Sequence, residues 1–258
     1  MALIGHSSPW DPMKFAWWTS LTQKRTQNDL CAVHTWELWL QNISSFDVIL
    51  MEPVCSSFSP ARRHALSARD SGPRPLRSVA EPMGLKKPDP PFTSAELETM
   101  KIGNCFSRRS LLLAKAAKSA DIPVALEAPR VVYADQVSMY TFPEAQDLMD
   151  LGAFTVDLDQ CRFSAHSTKP TRFLVLLPSP DTQAVSAWKS VELTCNHNSG
   201  HTPLVGKLGS SEFKTSAAQV YPPELNAVLA TAIVALAVHT TRPLPCDTTV
   251  KTPSGEMT

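Results

Sequence analysis

Residues Asp47–Pro60 read DVILMEPVCSSFSP. Val48–Met51 is a run of four apolar residues that stops at Glu52-Pro53, and Cys55 follows between Val54 and a pair of serines. A short apolar run closed by a proline predicts a buried strand over 47–52. A core strand has no use for a carboxylate and a thiol at its tip, whereas a catalytic loop does. In α/β sheets ligands bind outside the carboxyl ends of the strands. The rest of the chain should then supply further short strands separated by helices.

It does so. Ile122–Leu126 predicts a second buried strand, and it too ends on an acid and a proline, Glu127-Ala128-Pro129. Further strands are expected at 154–158 and 172–177. Thr93-Ser94-Ala95-Glu96 has the form of a capping box and opens a helix to about Ala120, with Gly103 as a break point. Pro143–Leu151 predicts a short helix with proline in its first turn and Gly152 beyond its end. Pro222-Pro223 opens a last helix, Glu224 to about His239, whose apolar positions are core. Alternating strands and helices predict an α/β domain over 1–240 with a mostly parallel sheet. Residues 1–40 hold five of the six tryptophans without a clear period and read as an irregular cap. Residues 241–258 are polar and patternless and read as a disordered tail.

The chain's 258 residues suit one large domain. With 24 basic and 24 acidic residues the formal charge is zero, so no global field selects a nucleic acid. The asymmetry is local. The proline-rich loop over 60–91 carries seven Arg or Lys between 62 and 87 against Asp70 and Glu81, an excess of five positive charges. Such a segment is either a nucleic-acid contact or a solvated linker. Six cysteines without a CxxC pair read as reduced thiols in an intracellular protein. The longest apolar stretch, Leu225–Val238, has 14 residues including Asn226, short for a membrane span. Cys195, His197 and His201 would offer three zinc ligands, but their spacing fits no common finger and no fourth ligand is near, so no metal is expected.

Glu52-Pro53-Val54-Cys55 with Phe58-Ser59 resembles the Pro-Pro-Cys loop of the cytosine-C5 DNA methyltransferases. Leu126-Glu127-Ala128-Pro129 resembles their later Glu-Asn motif. Asp159-Gln160-Cys161 with Lys169-Pro170-Thr171-Arg172 is similar to the next strand-and-turn region, and Ala218-Gln219-Val220-Tyr221-Pro222-Pro223 to the last motif. The matches run in order across roughly residues 45–235. The resemblance implies a Rossmann-like sheet of the S-adenosylmethionine-dependent methyltransferase type, incomplete at its N-terminal side. It implies Cys55 as the nucleophile that adds to cytosine C6, and Glu127 as the partner of N3. Arg62, Arg63 or Arg130 would then favour the thiolate. By the same resemblance Pro53, Gln219 and Tyr221 would line the S-adenosylmethionine site. Arg62, Arg63, Arg74, Arg77 and Arg162 would contact DNA, whose target base must leave the duplex, and a nuclear location would follow by analogy. The chain departs from the family at Val54, at Ala128, at Gln219, and in having no Phe-x-Gly-x-Gly turn before Asp47. Two functions are therefore expected: a methyltransferase, active or not, or a non-catalytic nucleic-acid-binding or interaction module on the same fold.

Overall fold

Val48–Glu52 is a strand because four consecutive apolar residues can be buried only where both faces of a sheet are covered. In the computed structural model, which describes residues 15–19, 29–60, 62, 73–197, 200–204, 207–208, 212–213, 218 and 220–238, both faces are covered. The main sheet is built from β1 (Phe15–Thr19), β2 (Val48–Glu52), β3 (Val124–Pro129), β4 (Phe154–Asp159) and β5 (Pro170–Leu176), in the order β1-β2-β3-β5-β4. A two-residue pairing of β6 (Lys207–Leu208) with β7 (Glu212–Phe213) stands apart.

One face packs Ile49, Met51, Val124, Leu126, Leu174 and Leu176 against α2 (Ser94–Ser119) and α3 (Pro143–Asp150), with the tryptophans of α1 (Val33–Asn42) at its border. The other packs Val48, Leu50, Ala125, Phe173 and Val175 against α4 (Thr182–Lys189) and α5 (Pro223–Val238). The alternation within each strand is the period-2 signature of a two-sided sheet.

The expected mostly parallel sheet is corrected to a mixed one. β1–β2 and β2–β3 are parallel, while β3–β5 and β4–β5 are antiparallel. The reason is connection length. Between Asp159 and Pro170 the chain has only a short 3₁₀ turn (Gln160–Phe163) and a few further residues. A parallel return needs a dozen or more residues, so β5 reverses and fills the place between β3 and β4.

Other expectations change as well. The Trp-rich start is no irregular cap throughout: it contains β1, paired with β2 from Phe15↔Val48 to Thr19↔Glu52, and α1. Gly103 does not break α2, which runs unbroken for 26 residues from a complete capping box at Thr93 and Glu96. Cys31 and Cys105 form a disulfide, with Cα atoms 5.9 Å apart, joining the entry to α1 with α2; the expectation of six reduced thiols is corrected for these two. The expected tail over 241–258 lies outside the described residues. Among the described residues no helix is long and apolar enough to cross a membrane.

Residues 73–92 form a strap laid along α2. Arg74 grips Glu96 through Nε (2.8 Å) and Nη2 (2.9 Å) and also donates to the carbonyls of Pro90 and Pro91. The Glu96 carboxyl, held first by that guanidinium, is pulled down to about 2. Arg77 lies under the strap, 6% exposed, donating to Ser57, Pro82, Met100 and Asn104. Gly103 makes this possible. A Cβ there would overlap Ser57 Oγ and come within 3.1 Å of Arg77 Nη2.

Gly103→Ala should therefore destabilise the protein. Overpacking and disturbance of the Ser57–Arg77 bond cost roughly 1–3 kcal/mol each, against about 1 kcal/mol gained in helix propensity. A lower denaturant midpoint is expected; an unchanged or raised midpoint would show that the loop after β2 is not held by this contact.

Candidate functional site

β2 and β3 run side by side in the same direction, with Met51 opposite Leu126. Glu52 and Glu127 come next on each strand, so two carboxylates arrive together at one carboxyl edge. By alternation with Leu50 and Ala125 they face the α4–α5 side. Cys55 follows three residues past Glu52. The turn that carries it is closed by Phe58 N–H donating to the Cys55 carbonyl (2.8 Å) and by Arg77 donating to Ser57 Oγ (2.8 Å). Phe58 is buried beneath the Arg77 guanidinium, which sits 4.0 Å from its ring centroid.

Glu127 is 8% exposed. Burial, with a smaller contribution from Glu52, pushes its carboxyl up to about 7, and Lys169 opposes the shift. Cys55 is half-buried as a residue, yet its thiol lies deep enough that loss of solvent raises it to about 11, with Glu127 next and Glu52 adding to it, and Lys169 pulling the other way. Tyr221 completes the group. Its buried phenol is held well above the ordinary range by burial first, then by Glu127 and Glu52. The Lys169 ammonium sits over its ring, 5.2 Å from the centroid. Lys169 has a positive φ of 32°, and its carbonyl accepts from Thr171 Oγ1 at 3.1 Å. Tyr140 pins the floor: its hydroxyl lies 2.7 Å from the Leu126 carbonyl and 3.2 Å from that of Arg172, bracing β3 against β5.

Cys55 and Glu127, on separate sequence motifs, thus share one electrostatic cluster with Glu52, Lys169 and Tyr221. The cation is Lys169 rather than an arginine. Arg130 turns to Asp159 (2.6 Å). Arg62 donates to the Ser56 and Arg74 carbonyls, and Arg63 lies outside the described residues. The signal for Lys169 was its place in Lys169-Pro170-Thr171-Arg172, and that for Glu52 its position at the strand tip.

The arginines expected at DNA are largely committed to the protein. Arg77 is buried, so the phosphate-contact expectation is corrected for it, while the partly exposed Arg74 donates to Glu96 and two carbonyls. Arg162 donates to Asn196 Oδ1. A groove of about 660 Å³ opens beside the Cys55 turn, between Ser57–Pro60, the strap and Ala134–Val137, with Arg62 at its wall.

Of the three residues expected at S-adenosylmethionine, two are described. Pro53 is buried, Tyr221 is packed into the Cys55–Glu127 cluster, and Gln219 lies outside the described residues. No glycine occurs between Gly5 and Gly72, so β1 is not followed by a glycine turn. The expectation that Cys195, His197 and His201 lack a fourth ligand is also corrected. Cys161 joins them, all four ligand atoms lying within 4.8 Å of one another. Comparison with known proteins gives no match: no family model, no curated protein and no solved structure is significantly similar to the chain.

A carboxyl raised from 4.5 to about 7 holds its proton more tightly in the folded state than in the unfolded one. Its contribution to stability is full below the unfolded pKa and is lost as pH rises through the folded pKa. Glu127→Gln removes that dependence. Relative to wild type, the variant should gain about 2–3 kcal/mol between pH 5 and pH 8, read from denaturant unfolding at each pH. Parallel curves for the two proteins would show that Glu127 ionises normally.

Proposed function

We propose that this chain is a cytosine-C5 DNA methyltransferase-like domain whose Cys55–Glu127 pair acts on a pyrimidine ring drawn out of a nucleic acid. The observation that carries this reading is the convergence of a thiol and a buried carboxyl, neutral up to about pH 7, at the ends of two adjacent parallel strands. The protonated state of Glu127 fits the chemistry. The Cys55 thiol releases its proton to solvent, and the thiolate forms a bond to C6 while the C5–C6 π pair moves toward the ring. Glu127 donates its proton to N3, which neutralises the charge that the addition creates. A protonated Glu127 also ceases to repel the thiolate, leaving the Lys169 ammonium as a stabilising neighbour.

The Rossmann-like methyltransferase sheet belongs to the same proposal. A reversed strand within an otherwise co-directional sheet is a common variant of such folds. The methyl donor implied by the resemblance is S-adenosylmethionine, and no step here runs through it. A second reading is a non-catalytic nucleic-acid-binding or interaction module. It is favoured by the raised thiol and by the glycine-free segment after β1.

Duplex DNA carrying 2-pyrimidinone, a more electrophilic ring than cytosine, tests addition alone. The wild type should form a covalent adduct that Cys55→Ala abolishes and that Glu127→Gln slows by about 10²–10⁴-fold. A 5-fluorocytosine duplex with S-adenosylmethionine tests transfer. Adduct on the first and none on the second would mark a domain that keeps addition without methylation. No adduct on either, from folded protein, would leave the binding-module reading in place.

A further inference from the structure

Cys161 lies on the 3₁₀ turn that follows β4, and Cys195, His197 and His201 lie on the segment after α4. The Cys195 sulfur is 3.6 Å from His197 Nδ1 and 3.6 Å from His201 Nε2, and the two imidazole rings are 4.5 Å apart between centroids. A tetrahedral zinc with bonds of about 2.3 Å to sulfur and 2.0–2.1 Å to nitrogen sets each sulfur–nitrogen pair roughly 3.6 Å apart. We propose that Cys161, Cys195, His197 and His201 bind one zinc ion in a closed Cys₂His₂ site that fixes the 192–204 segment to the end of β4.

The donor set selects the metal. Two thiolates with two imidazoles in tetrahedral array suit zinc over the oxygen-seeking cations. His197 and His201 are separated by three residues, a spacing common in zinc sites. Four protein ligands leave no open position, so the site is structural rather than hydrolytic. Its surroundings are already in place. Asp159 accepts from the Cys195 N–H (2.7 Å) and from Arg130 (2.6 Å), while its own N–H donates to the Leu193 carbonyl (2.9 Å). Thr202 N–H donates to the His166 carbonyl (2.7 Å), closing the segment beyond His201. Without metal the Cys195 thiol faces the His197 carbonyl at 3.3 Å. Zinc binding breaks that contact and displaces the two thiol protons to solvent, with both histidines neutral. The Gln160–Lys169 turn, which ends on the cation of the Cys55–Glu127 cluster, is thereby anchored. The metal proposal stands whatever that cluster does.

The test is Co²⁺ titration of the metal-free full chain under anaerobic conditions, followed by Zn²⁺ displacement. One equivalent should give the intense visible bands of tetrahedral cobalt with sulfur-to-metal charge transfer, and zinc should abolish them. Cys161→Ser and Cys195→Ser should lose the bands, and Cys55→Ser should keep them. Cys161→His, which preserves four ligands, should keep tetrahedral cobalt with weaker charge transfer, so that a loss in the serine variants is not simple misfolding. Three results would overturn the proposal: a weak octahedral spectrum from folded wild type, unchanged bands in Cys195→Ser, or a Cys161–Cys195 disulfide in protein purified with zinc.

Discussion

The parallel register of β2 and β3 is the constraint on which the rest depends. With Met51 opposite Leu126, the two strands deliver Glu52 and Glu127 to the same edge, on the same face. Two carboxylates so placed cannot both ionise cheaply where solvent is excluded. Glu127, the more buried, keeps its proton to about pH 7. The same desolvation holds the Cys55 thiol neutral, and Lys169 is the counterweight to both. A protonated carboxyl and a neutral thiol therefore come from one packing decision. The mixed sheet serves it: β5 reverses beside β3 and so brings Lys169 and Thr171 to the edge where β3 ends.

The local excess of positive charge does a different task from the one its sequence suggests. Arg74 and Arg77 act as planar forks that gather carbonyls, a carboxylate and a hydroxyl from separate segments. Arg77 ties the Cys55 turn through Ser57 to the strap and to α2. Arg109 repeats the device at the other end, donating to the Leu30 and Ala32 carbonyls with its guanidinium over the Trp36 ring. Arg74, Arg77 and Arg109 thus brace the loops around the site, while Lys86 and Lys87 stay exposed.

Much of this was legible in the sequence. Apolar runs closed by Glu-Pro and Glu-Ala-Pro marked β2 and β3, because a fully buried strand needs no alternation and a proline ends it. The capping box marked the start of α2. The reversal of β5 was readable in the short interval from Asp159 to Pro170 and was missed because helix–strand alternation was weighed first. β1 and α1 were hidden by tryptophans that follow neither period, and α4 by its eight-residue length. Burial of Arg77 could not be read from a segment rich in proline and charge. The fourth member of the Cys₂His₂ cluster was out of reach for another reason: Cys161 is brought to Cys195 by the β4 turn, not by sequence spacing.

The central claim is that Glu127 and Cys55 share one desolvated site. The direct measurement is the pH dependence of Cys55 alkylation, followed on the Cys55 peptide by mass spectrometry, in wild type and in Glu127→Gln. The account predicts a wild-type rate still climbing at pH 10, in keeping with a thiol near 11, and a profile displaced to lower pH once the Glu127 charge is gone. A plateau near the ordinary thiol value of about 8.5, identical in both proteins, would contradict it.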